Sequence, residues 1–274
     1  MARFIVVPQW QGSPSPRAMS LIDGAELIAG DLPSSVCHRV EVPVEAGESL
    51  DTGVLRASTL LRVARHTREE LEAFPGERLI VIGGDSGVAV PAIAHAASGA
   101  ADVAVIWFSA RGRLHTPETS PTGAYAGMAL RAVLGGAPDG LGMTRGVMEP
   151  DKVVIVGARD WDVAEEVYAN DAGIRALAAT EAASQIADAL AATGAARAYV
   201  HIDLDVLDPA HFEGVSSPQP FGLDPAALLD AITAIRERLP LAGASLAGFA
   251  PRSADAGIAD MGTILRIIGA LAKA

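Results

Sequence analysis

The sequence predicts an α/β protein built in three layers, a mostly parallel sheet with helices on both faces, and three observations carry that prediction. Short β-branched runs bounded by Gly, Pro or Asp recur along the 274 residues. Ala- and Leu-rich segments of helical period lie between them, which is the spacing of strands joined by crossover helices. Half of the residues (50%) are hydrophobic, enough for a sizeable core, and the whole of residues 1–274 reads as one domain.

The first strand is expected at residues 4–7, where Phe4-Ile5-Val6-Val7 runs into Pro8; this run is too short for a signal-peptide core. Further strands are expected at 36–42, 79–82, 103–108, 152–156, 198–203 and 244–249. Helices are expected between them at 53–74, 88–97, 126–134, 163–169, 181–193, 225–239 and 258–272, with Thr180 and Asp224 as N-caps. No internal repeat is visible, and residues 9–16 and 111–123 are the two segments expected to be floppy.

A net charge of −12 disfavours a surface made for nucleic-acid backbones or anionic lipid. No segment is long and uncharged enough to span a bilayer, so a cytoplasmic location is expected. Only two of the 21 basic residues are Lys, so nearly all the positive charge is guanidinium, which stays protonated when buried. Cys37 is the single cysteine and can form no intramolecular disulfide; an inert thiol is the simplest reading of it.

The most informative stretch is His201-Ile202-Asp203-Leu204-Asp205-Val206-Leu207-Asp208-Pro209. Strand alternation places His201, Asp203 and Asp205 on one face of a buried run. Two adjacent buried carboxylates are costly unless a metal, an Arg or Lys, or a shared proton compensates them. Sites in open α/β sheets form beyond the carboxyl ends of the strands. Four segments of unusual composition fall there: Gly83-Gly84-Asp85-Ser86-Gly87, Ser109-Ala110-Arg111-Gly112-Arg113, the Asp203/Asp205 pair, and Gly248-Phe249-Ala250-Pro251-Arg252. They are expected to converge on one pocket.

These segments, in this order, resemble the ureohydrolase family of arginases, agmatinases and formiminoglutamases. The run Val105-Ile106-Trp107-Phe108, the stretch from Leu114-His115-Thr116-Pro117 to Thr122-Gly123, and Ile202 to Pro209 carry the resemblance most specifically. It implies an arginase-like fold and, in the family, two manganese ions whose bridging hydroxide attacks a guanidino-type carbon. It also implies a homo-oligomer. Position by position, however, this chain departs from the pattern. Ser86 stands for the histidine of Gly-Gly-Asp-His, and Ser109, Arg111 and Arg113 stand for the three ligands of Asp-Ala-His-x-Asp. Ala126 replaces the histidine that shuttles protons in the family, and Gly248 aligns with the glutamate that grips the substrate guanidinium. Of six ligand positions only Asp203 and Asp205 remain, while Asp85 keeps an orienting place.

The expectation is therefore a noncatalytic homologue acting in ligand binding, regulation or assembly, alone or with an active homologue. Arg111, Arg113 or both would stand electrostatically where the metals stood. No cofactor is expected on this reading. The alternative is a hydrolase of a C–N bond in a guanidino-type molecule, using one manganese ion held by Asp203 and Asp205 with His201 or His115. His38, His66 and His95 read as ordinary surface or helix residues, and His211 lies nearer the expected mouth. Ser86 and Ser109 have no histidine placed by a recognisable motif to activate them. The near-consensus stretch from Thr116 to Gly123 resembles the wall that receives the polar end of the family's substrate, which leaves a small-molecule ligand as the expected partner.

Overall fold

The computed structural model describes residues 2–99 and 102–273. Its strands are β1 (Arg3–Val7), β2 (Cys37–Arg39), β3 (Leu79–Gly83), β4 (Val103–Phe108), β5 (Val153–Val156), β6 (Arg175–Leu177), β7 (Arg197–Asp203) and β8 (Leu241–Ala247). They form one eight-stranded sheet in the order β2-β1-β3-β8-β7-β4-β5-β6, with every pair parallel. The helices are α1 (Ser20–Gly30), α2 (Ala57–Glu72), α3 (Ala89–Ala97), α4 (Ala129–Val133), α5 (Val163–Asp171), α6 (Ala182–Thr193), α7 (Pro225–Arg238) and α8 (Ala254–Ala272).

Helices cover both faces, so the central strands are apolar on both sides and read as unbroken hydrophobic runs. Phe4, Val6, Ile80, Ile82, Ile106 and Val200 fill one face, while Ile5, Val7, Val81, Val105 and Trp107 fill the other. Burial of each such side chain contributes about 1.5–3 kcal/mol, so these two layers hold the sheet rigid beneath the loops. Among the described residues, no helix is long and apolar enough to cross a membrane.

Several expected boundaries move, each for a physical reason. The helix expected at 53–74 starts only at Ala57, because Leu50, Asp51, Gly53 and Arg56 all take positive φ and build turns. The strand expected at 244–249 is β8, which begins at Leu241; its Gly243 is small because an added Cβ would lie 3.0 Å from the Tyr199 ring. Asp224 does cap α7, accepting from Ala227 N at 2.8 Å. Thr180 does not cap α6: it lies inside a 3-10 turn, Ala179–Glu181, that leads into the helix. Residues 9–16 are not a loose loop, since Gln9, Trp10, Gln11, Gly12 and Ser13 are buried.

Candidate functional site

Four adjacent strands, β3, β8, β7 and β4, deliver the unusual segments to one edge of the sheet. There they wall a cavity of about 400 Å³. Asp85, Ser86, Arg111, Arg113 and His115 line it, with Ala126, Asp203, Asp205 and Gly248. Ser109 and His201 are fully buried and lie behind this lining.

Asp203 is the last residue of β7, and Asp205 follows in a 3-10 turn, Leu204–Val206. Strand alternation therefore aligns His201 with Asp203 but does not extend to Asp205, which reaches the same cluster through the turn. Arg113 joins the two acids: its Nε is 3.1 Å from Asp203 Oδ2 and its Nη2 is 2.8 Å from Asp205 Oδ2. Arg111 reaches in from the rim, with Nη1 3.2 Å from Asp205 Oδ2, Nη2 2.9 Å from Ser217 Oγ, and Nε 3.0 Å from Asp160 Oδ2. Ser86 Oγ donates to Asp203 at 2.8 Å, and Asp205 accepts from Ala110 N at 2.9 Å and Ser109 Oγ at 3.2 Å.

This arrangement sets the charge state of the cluster. Burial alone would raise the pKa of Asp203, but the Arg113 guanidinium, His201 and the Ser86 hydroxyl together hold it well below the usual carboxylate range. Burial works against the charge of Arg113, yet Asp203 and Asp205 raise its pKa further. Arg113 also takes φ +56°, a left-handed conformation that costs a residue with a Cβ about 1–2 kcal/mol. The two carboxylate contacts offset that strain.

Asp85 does a different job. Its carboxylate accepts from Gln9 Nε2, Gly12 N and Gly87 N, each at 2.9 Å, and so pins residues 9–12 against the turn after β3. Close approach is required there: a Cβ on Gly12 would fall 2.4 Å from Asp85 Oδ1. Burial pushes the Asp85 pKa up to about 6 despite those three donors. A carboxyl group that binds its proton more tightly when folded gives stability that is full below about pH 4 and lost as pH rises through about 6. The urea-derived stability of the native chain, relative to an Asp85→Asn variant, should accordingly fall between pH 4 and 6. A flat difference across that window would refute the assignment.

The histidines considered as ligands each make a hydrogen bond through one ring nitrogen, while the buried Nε2 of His201 has no hydrogen-bond partner among the described residues. His201 Nδ1 lies 2.8 Å from Ser245 Oγ, its ring packs on Trp107 at 3.9 Å, and its Nε2 is 3.5 Å from Asp203. His115 turns toward Thr119 Oγ1 at 3.3 Å and Glu165 at 3.9 Å. Among the described residues no group of three or more His, Cys, Asp or Glu is placed to hold an ion. His38 pairs with Glu70 at 3.4 Å, His66 is half-buried with Nδ1 3.1 Å from the Glu41 carbonyl, and His211 is exposed. Cys37 is half-buried, and burial, with Glu26 nearby, raises its thiol pKa, which opposes thiolate chemistry.

Sequence reasoning missed Arg159 and Glu165. Arg159 holds the backbone carbonyls of Gly157, Asp205, Gln219 and Pro220 at 2.8–3.0 Å and so fixes the turn that carries Asp205. Glu165 accepts from Leu114 N at 2.9 Å and from Asp162 N at 3.2 Å, closing a capping box on α5. The signal was present: Arg159-Asp160-Trp161-Asp162 follows the carboxyl end of β5, and Asp162 with Glu165 three residues later is a helix-start pattern.

The profile of the arginase family matches residues 20–265 of this chain. An arginase of Bacillus subtilis (strain 168) is 34% identical over 160 residues, covering 54% of this chain and 52% of that protein. An arginase of Staphylococcus aureus (strain MRSA252) is 27% identical over 191 residues, covering 64% and 62%. The matched stretches thus span little more than half of those relatives. An N(omega)-hydroxy-L-arginine amidinohydrolase of Streptomyces lavendulae is 28% identical over 84% of this chain and 82% of its own length. The crystal structure of an arginase from Entamoeba histolytica superposes with a TM-score of 0.82 at 21% identity, covering 100% of this chain and 98% of that one. A formimidoylglutamase from Bacillus subtilis superposes with a TM-score of 0.72 at 19% identity, covering 98% and 86%. The family profile spans most of the chain, and the eight-stranded sheet is that of these structures: the chain belongs to the arginase family.

Proposed function

We propose that this member of the arginase family is a noncatalytic, cytoplasmic homologue that binds a small molecule in the cavity and acts through regulation or assembly, with itself or with an active homologue. The observation that carries the reading is Arg113, whose guanidinium spans Asp203 and Asp205 at 3.1 and 2.8 Å. Manganese is the metal that the family resemblance implies, and the residues present do not fit it. Two hard cations need several oxygen or imidazole ligands each. Here Asp203 and Asp205 already accept from Arg113, Arg111, Ser86, Ser109 and the Ala110 amide, and a permanent cation stands beside each.

A water molecule with a pKa of about 15.7 needs a metal or a strong base to become a nucleophile near neutrality. The cluster supplies neither, because both aspartates are spent on guanidinium. Ala126 offers no proton carrier, and Gly248 offers no acid for a substrate guanidinium. The test is direct. Protein purified in manganese should carry less than one ion per chain and release no urea from arginine or agmatine. Two bound ions, or brisk urea release, would overturn the reading.

A further inference from the structure

Helix α8 holds two residues that nothing inside the chain calls for. Gly262 and Gly269 lie in its interior on the solvent side, although glycine is the poorest helix former after proline. A Cβ built at either position meets nothing within 4 Å, in contrast to Gly257 on the buried side of the same helix, where it would fall 2.7 Å from Leu27. Ile258 and Leu265 stand between and beside these glycines and leave 63% and 36% of their surface in water. Ile258, Gly262, Leu265 and Gly269 follow one another at intervals of four, three and four residues, so they form one seam along the exposed face. Large and small side chains alternate along it, with Asp255 exposed at one end and Lys273 exposed at the other.

Such a seam fits itself when it is reversed. A two-fold axis crossing the helix between Thr263 and Ile264 sets Ile258 against the partner's Gly269 and Leu265 against the partner's Gly262. Every large side chain then meets a position that has none. The same operation brings Asp255 close to the partner's Lys273 and sets the two helix dipoles in opposition. A parallel pair would instead put Leu265 on Leu265, Gly262 on Gly262 and Asp255 on Asp255, which leaves gaps between the glycines and like charges together.

We infer that the exposed face of α8 docks onto the same face of a second copy of this chain, as an antiparallel two-fold pair. The inference rests on the assembly named in the proposed function and not on the state of the Arg–Asp cluster, which lies at the cavity rather than on this helix. A single pair of helices falls at the low end of protein interfaces, below about 1,200 Å² in all, so a concentration-dependent dimer in the micromolar range is expected.

Sedimentation of the full chain from about 1 to 200 µM tests this, a range that spans the expected Kd. Monomer should give way to dimer as concentration rises. Leu265→Asp should hold the chain monomeric, and Gly262→Leu, which fills the space the partner's Leu265 enters, should weaken the pair about ten-fold or more. Lys273→Glu should weaken it about three-fold by setting two acids together at each end, and the swap Asp255→Lys/Lys273→Glu should restore it. That rescue belongs to the antiparallel register. An unchanged circular-dichroism spectrum should show that all four variants fold. Monomer at every concentration, an oligomer of three subunits, a dimer indifferent to Leu265→Asp, or a charge swap that restores nothing would each overturn the inference. Any of these would leave the noncatalytic reading standing, whereas manganese uptake with urea release would sink that reading and leave the pair in place.

Discussion

Replacing Arg113 by methionine is expected to lower stability by about 3–5 kcal/mol at pH 7, because it leaves buried carboxylates without their shared cation. Methionine keeps much of the side-chain volume, so the loss reports on charge rather than on a cavity. Asp203 keeps only the Ser86 hydroxyl and His201, whereas Asp205 keeps Arg111, Ser109 and the Ala110 amide. Arg111→Met should cost clearly less. Its side chain is 23% exposed against 13% for Arg113, and it touches only one of the two acids. Adding Asp203→Asn to Arg113→Met should recover part of the loss, since a neutral amide no longer needs the guanidinium.

The pH dependence has a definite sign. Asp203 is held below its ordinary range, so its contribution is present above the unfolded value of about 3.9 and lost as pH falls through the lower native value. Urea midpoints of the native chain and Arg113→Met should therefore lie far apart at pH 7 and converge as pH drops below about 4. Parallel curves over that range would mean that Arg113 acts by packing alone. Asp85, raised to about 6, gives the opposite slope between pH 4 and 6, so the two carboxylates can be told apart within one titration series.

The site was legible in the sequence to the extent that its residues carry unusual charge on apolar strands. Asp203 interrupts a run buried on both faces, and Arg111 and Arg113 follow β4 where the sheet opens, so their meeting could be argued from strand order alone. Elements whose signal lies in another element's backbone were not legible. Helix α1 contains Gly24, which lowers helix propensity; it is Gly because a Cβ there would fall 2.1 Å from the Phe249 carbonyl oxygen. Strand β6 has three residues, two of them exposed at the sheet edge, too few to show a period. Residues 9–16 look like a surface loop by their Gln, Gly, Ser and Pro content. Residues 9–13 are nonetheless buried, because Asp85, more than seventy positions away, supplies the acceptor for Gln9 and Gly12.

Restoring the family's ligands should convert this cluster into a manganese site. The variant Ser86→His/Ser109→Asp/Arg111→His/Arg113→Asp removes two guanidinium groups and adds two carboxylates, a change of four negative charges around Asp203 and Asp205. Geometry favours the exchange: Ser86 Oγ is already 2.8 Å from Asp203 and Ser109 Oγ 3.2 Å from Asp205, so side chains at these positions face the acids. In chelator the variant should be strongly destabilised by mutual repulsion of its carboxylates. In manganese it should recover, since a ligand that binds only the folded state stabilises by about 2.7 kcal/mol at a hundred times its Kd. The native chain should show no manganese-dependent shift in its melting temperature, because its own arginines already compensate the acids. Urea release should remain absent even in the metal-loaded variant. Ala126 supplies no imidazole, and position 248 takes φ +89°, which a glutamate backbone adopts only under strain. Manganese stabilisation of the native chain, without any in the four-fold variant, would reverse the assignment of charges on which the Arg–Asp cluster rests.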